Sequence, residues 1–136
     1  MSRVMAIDYG LKRTGLAVTD PLQIIATALD TVDSKEIWSY LKDYFDREEV
    51  DLVILGMPKN LDGNDTHGTQ PVKAFKEEFQ TKFPAIKVTL IDERFTSKIA
   101  FNTMLMDGST KKNRREKGSI DKIAATIMLQ DYLASR

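Results

Sequence analysis

Apolar residues fall along this chain in two rhythms, one of short unbroken runs and one of helical stripes. Val4 to Ile7 has no polar alternation and reads as a strand buried on both faces, ending at Asp8. Tyr9 to Gly15 then reads as a turn, with Gly10 and Gly15 permitting backbone geometries that side chains would obstruct. Leu16 to Thr19 returns as a second strand, close enough for an antiparallel hairpin, and Ile24 to Leu29 as a third after the break at Asp20-Pro21. Asp51 to Gly56 is another short apolar run with the look of a central parallel strand, and Ile86 to Ile91 reads as a fifth strand.

The helical stripes lie between and after these runs. Asp33-Ser34-Lys35-Glu36 has capping-box spacing, and Ile37, Leu41, Tyr44 and Phe45 follow on one face. Pro71 suits the first turn of a second helix carrying Val72, Phe75, Phe79 and Phe83, which Pro84 ends. Phe75 and Phe79 read as core. The spacing predicts another helix after a Thr96 cap, through Ile99, Phe101, Met104 and Leu105 to Gly108. A last helix runs from Ile120 to about Ala134 behind a Ser119 cap, with Asp121 in its first turn and Ala124, Ala125, Met128 and Tyr132 on the face Asp121 shares. Between strand and helix, Met57 to Gln70 is long and without apolar rhythm, as functional or mobile loops usually are.

The order is a hairpin meander followed by strands alternating with helices. Right-handed crossovers then give an α/β fold with a five-stranded mixed sheet of order 3-2-1-4-5, the first strand central and helices on both faces. Ligands of such sheets gather beyond the carboxyl ends of the parallel strands. Asp8 and Glu93 both stand at such ends, and the small Ala124 and Ala125 would let the last helix bring Asp121 close to the sheet. Desolvating a carboxylate costs several kcal/mol unless it is paired or metal-bound, so Asp8 needs a partner. Three carboxylates converging there would suit Mg²⁺ or Mn²⁺ and support metal-assisted phosphodiester hydrolysis. Each has a plainer reading as well. The helix macrodipole favours an acid where Asp121 stands, Asp92 and Glu93 can pair with Arg94, and His67 fits an idle surface residue.

Composition narrows the partners. The chain has 136 residues, enough for one domain with a real core over 1–136, and no cysteine, which removes disulfides, thiolate zinc sites and a Cys nucleophile. Absence of a leader-like start or a membrane-length apolar run leads us to expect a soluble, cytoplasmic protein without a membrane partner. Twenty basic and twenty acidic residues balance to a formal charge of +0, so nucleic-acid affinity would have to come from a local patch. Lys12, Arg13, Arg94, Lys111, Lys112, Arg114 and Arg115 are the candidates, the last four in a basic loop just ahead of Asp121 that an ordinary solvated connection would equally explain.

Four motifs in order, AIDYGLKRTGLAVTD, GMPKNLDG, DERFTS and KGSIDKIAATIMLQDYL, resemble the YqgF/RuvX family. The resemblance runs from Val4 to Leu133. It implies an RNase H-like fold and a nuclease processing the 5′ end of pre-16S ribosomal RNA in ribosome biogenesis, and an older description of the family is Holliday junction resolvase. The family's acidic positions fall on Asp8, Glu93 and Asp121. Nucleases of this fold commonly use four carboxylates, with Asp92, Asp62 and Asp20 the candidates for a fourth here. Pre-rRNA is therefore the favoured partner and branched DNA the alternative, with monomer and dimer both open. A non-catalytic nucleic-acid or ribosome-binding module is a rival reading. So is a single actin-like phosphate loop, although a nucleotide-enclosing second copy is absent from the sequence.

Overall fold

The structure, a computed structural model, describes residues 2–57, 69–92 and 117–136, with backbone alone at 69, 92 and 117–121. Five strands, β1 (Arg3–Tyr9), β2 (Arg13–Thr19), β3 (Ala26–Asp33), β4 (Val50–Met57) and β5 (Lys87–Asp92), form one sheet of order β3-β2-β1-β4-β5. β1 is antiparallel to β2 and parallel to β4, β2 is antiparallel to β3, and β4 is parallel to β5. The expected mixed sheet with a central first strand is therefore present, and its innermost strands are the unbroken apolar runs.

Alternation along these strands divides the core in two. Met5, Ile7, Leu16, Val18, Val53, Leu55 and Met57 face α1 (Ile37–Arg47) and α2 (Thr69–Lys82), meeting Ile37, Leu41, Tyr44, Val72, Phe75 and Phe79. Val4, Ala6, Ala17 and Ile54 face the other way, onto Ala125, Met128 and Leu129 of α3 (Lys117–Ser135). Each large aliphatic side chain so buried contributes about 1.5–3 kcal/mol. On the first side the aromatic residues stack in sequence, with Tyr9 on Phe75 at 4.5 Å between ring centroids and Phe75 on Trp38 at 4.8 Å. The second side is lined by alanines, so α3 lies close to the sheet. Ala125, Thr126, Ile127, Met128 and Leu129 are all buried, as in a helix covered around its whole circumference. Among the described residues no helix is long and apolar enough to cross a membrane.

Several element ends differ from the sequence expectations. β3 begins at Ala26 instead of Ile24, because the Asp20 carboxylate accepts hydrogen bonds from the Ile24 and Ile25 amides, both at 2.8 Å, and holds them in a turn. Asp33 ends β3 with extended geometry and makes no capping bond, so the capping box does not form, and a 3-10 turn, Ser34–Glu36, precedes α1. α2 opens at Thr69, which keeps Pro71 in its first turn as expected. α3 opens at Lys117, which puts Ser119 inside the helix instead of at its cap and Asp121 past the first turn. The helix expected from Thr96 to Gly108 lies outside the described residues.

Candidate active site

Asp8 belongs to β1 itself, one residue before its end, and is half-buried. Two residues beyond Ala6 and four beyond Val4, it shares their face of the sheet, the one covered by α3. Its β2 partner is Gly15, which lies within the strand and not in the turn. On the other side, Leu55 pairs with Ile7, so Gly56 follows alongside Asp8, and Gly56 in turn pairs with Ile91 of β5. The carboxylate thus rises from a row in which both neighbouring strands contribute a hydrogen instead of a side chain. That leaves room above the sheet for a hard cation and a phosphate beside an oxygen donor.

Strand alternation sets Arg13 on the same face, in the row next to Asp8. Two residues from Gly15 on the neighbouring strand, it is a diagonal neighbour of Asp8, with Cα atoms about 7–8 Å apart in such geometry. Lys12 is exposed at the hairpin tip. The tip, residues 10–12, is held from beneath by Ser34. The Ser34 hydroxyl donates to the Gly10 carbonyl and is bonded to the Thr14 hydroxyl at 2.8 Å, while the Ser34 amide donates to the Lys12 carbonyl at 2.9 Å. A Cβ on Gly10 would stand 2.6 Å from the Arg13 carbonyl oxygen, so this turn closes only over glycine. The sequence marks Ser34 as part of a helix cap. Its use by a hairpin twenty residues away depends on tertiary packing, for which a hydroxyl in a polar stretch carries no periodic signal.

α3 runs antiparallel to β1, as its far end shows. The Arg136 guanidinium donates to the Gln23 side-chain and backbone oxygens at 2.8 and 3.0 Å, and the Gln23 amide donates to the Ser2 carbonyl at 2.9 Å. The carboxyl end of α3 is therefore anchored where β1 begins, and its amino end points to where β1 finishes. Ala6 and Ala125 belong to one packed cluster, and beyond it two strand residues advance about 7 Å to Asp8 while four helical residues advance about 6 Å to position 121. Both advances run toward the carboxyl end of β1.

The fourth-carboxylate candidates fare differently. Asp20 sits at the opposite edge, beyond Thr19, which bonds the Val4 amide at 2.9 Å. Its bonds from the Ile25 and Ile24 amides hold its carboxyl below the ordinary 3.8, and this structural turn takes it out of the site. Asp92 ends β5 in register with Met57, whose side chain is buried on the α1 and α2 side. Asp62, His67, Glu93, Arg94, Lys111, Lys112, Arg114 and Arg115 lie outside the described residues. Among the described residues no three acidic, His or Cys side chains gather.

A family model described as RuvX, Holliday junction resolvase, matches residues 2–135. The chain belongs to the RuvX family. A relative from Flavobacterium johnsoniae, provisionally named pre-16S rRNA nuclease, is 51% identical over 136 residues, covering 100% of this chain and 99% of its own. One of the same provisional name from Parabacteroides distasonis is 47% identical, covering 100% of this chain and 97% of its own. Among solved structures, T. thermophilus RuvC in complex with a Holliday junction substrate superposes with a TM-score of 0.60 at 15% identity, covering 99% of this chain and 96% of that one. A second structure of Thermus thermophilus RuvC gives 0.55 at 13% identity. The fold of this RuvX-family chain is thereby RNase H-like. Its Asp8 stands on the central strand, near the carboxyl edge, on the face covered by α3.

Proposed function

We propose that this RuvX-family protein is a divalent-metal-dependent nuclease that hydrolyses phosphodiester bonds at the 5′ end of pre-16S rRNA, with residues 1–136 as one nuclease domain acting in the cytoplasm. The observation that carries the reading is Asp8 in its glycine-flanked row, with the amino end of α3 advancing to the same edge. The pre-rRNA substrate rests on the provisional names of relatives at 42–51% identity. Asp8, Glu93 and Asp121 are the proposed catalytic and metal-holding residues. Ile91, the last side chain described on β5, packs on the α3 side of the sheet, and Glu93 enters the proposal from the family's acidic positions. All three offer carboxylate oxygens, the donor set of Mg²⁺ or Mn²⁺.

When bound, a divalent cation supplies Lewis-acid stabilisation of phosphoryl oxygens and activation of water. The protein's own contribution is placement. Asp8 is fixed by its pairing with Gly15 and directly follows the paired Ile7 and Leu55, and Arg13 and Lys12 stand on the approach to it, where positive charge meets phosphate. Arg94, Lys111, Lys112, Arg114 and Arg115 extend the proposed nucleic-acid contact.

The test incubates purified protein with Mn²⁺ or Mg²⁺ and a pre-rRNA 5′ fragment, beside Asp8→Asn. The expected result is specific cleavage that falls at least about a hundredfold in the variant, equivalent to about 2.7 kcal/mol of barrier. Equal background cleavage by both proteins would refute the nuclease reading. A four-way DNA junction in parallel tests the activity by which the family model is described. Paired symmetric nicks there, with the rRNA fragment left intact, would move the substrate to branched DNA.

A further inference from the structure

The hairpin tip beside Asp8 carries a leucine that the catalytic reading does not use. Leu11 is 75% exposed, the most exposed large hydrophobic side chain among the described residues. Hairpin tips favour Gly, Asn, Asp and Ser for reasons of backbone geometry, and an isolated leucine there gains no burial from folding. Nor does this one sit on a loose loop. Gly10 before it and Lys12 after it are both tied to Ser34, through the Gly10 carbonyl and through the Lys12 carbonyl at 2.9 Å, and Ser34 itself is bonded to the fully buried Thr14. An apolar side chain on a rigid tip has its binding geometry set in advance, so little ordering entropy opposes insertion.

The neighbours define what it would insert into. Leu11 is followed by the exposed Lys12 and then Arg13, so a strand that brings phosphates to these cations brings its bases to the leucine. Leu11 is three residue steps from Asp8, a span of at most about 11 Å, or roughly three nucleotides at 3.4 Å each along a strand. Nucleic-acid-binding proteins use apolar wedges of this kind to part stacked bases, at a cost of a few kcal/mol per step, while adjacent cations hold the backbone.

We propose that Leu11 is a wedge that enters the base stack of the bound strand within about three nucleotides of the scissile phosphate, so that the site takes RNA at a helix end or at an unpaired base next to a helix. This rests on the nuclease reading for the identity of the scissile phosphate, but the wedge itself can be measured without cleavage.

The experiment uses the full chain, with Asp8→Asn as the background that binds without cutting. An RNA hairpin with a single-stranded 5′ extension carries the fluorescent base aminopurine at the helix end, where stacking quenches it. In Mg²⁺, binding of Asp8→Asn should raise the fluorescence severalfold, and Asp8→Asn with Leu11→Ala, at saturating protein, should remove most of that rise. Leu11→Phe in the same background should retain it. In the cleaving protein, Leu11→Ala should reduce cleavage of the hairpin RNA about tenfold more than cleavage of an unstructured RNA of the same length, since a parted stack is worth more than 1.36 kcal/mol. Equal loss on the two RNAs, or an undiminished fluorescence rise in the Leu11→Ala protein, would overturn the wedge. If the parent protein cuts neither RNA the nuclease reading fails, and the fluorescence arm still decides Leu11.

Discussion

Ser34 shows how far a single hydroxyl can reach. It joins the β1–β2 tip to the start of α1, and both its partners, the Gly10 carbonyl and the Thr14 hydroxyl, lose a bond when it is removed. Ser34→Ala should cost about 1–3 kcal/mol in urea unfolding, the range for stranding a buried polar partner. Asp33→Ala should cost less, the reverse of the order a capping box would give. Tyr40 supplies a titration of opposite character. Burial first, then the charge and hydrogen bond of Asp30, push its phenol up to about 12 from the ordinary 10.0. A raised folded value stabilises the protein fully below the unfolded value and is lost as pH climbs through the folded one. The urea midpoint of the wild type should therefore fall between pH 10 and 12 more steeply than that of Tyr40→Phe. Parallel pH profiles for the two proteins would remove this role.

At the scale of elements, the sheet was legible from the sequence because its inner strands are unbroken apolar runs, and few topologies fit a hairpin meander followed by strand–helix alternation. Ile24 and Ile25 misled for the same reason. They extend an apolar run, yet Asp20 captures their amides and leaves both side chains exposed, at 65% and 63%. The start of α3 was equally hidden, since a serine before an apolar stripe looks like a cap even when the helix is already two residues old. Face assignments survived these errors because they depend on periodicity and not on ends. α3 is set close to the sheet by alanines, so Ala125→Leu, at a fully buried position, should destabilise by about 1–3 kcal/mol through overpacking. A displacement of about 1 Å at the amino end of α3 should also lower cleavage on the order of a hundredfold, while Asp8 stays in place. Unchanged cleavage in a folded Ala125→Leu protein would mean that the distance of α3 from the sheet does not govern the site.

Across the whole molecule, the proposed chemistry and the anchoring contacts lie at opposite edges of one sheet. Arg136, Gln23, Ser2 and the Asp20 turn bind the far ends of α3, β1 and β2 together, and this fixes the direction in which α3 delivers position 121. The near edge holds Asp8 between two glycine positions, beneath a hairpin tip bearing Leu11 and Lys12. Of the proposed site, the sequence alone suggests the three acids, Asp8 and Glu93 from strand ends and Asp121 from an expected helix start that the structure moves back to Lys117. It did not reveal the support under the tip or the removal of Asp20 from the site, because both depend on contacts between segments distant in the chain. The central claim is that Asp8, Glu93 and Asp121 share a divalent cation. The most direct measurement is anomalous diffraction from a crystal soaked in Mn²⁺. A manganese peak about 2.0–2.2 Å from carboxylate oxygens of all three residues is the expected result. Three ordered carboxylates splayed apart with no peak between them would contradict it.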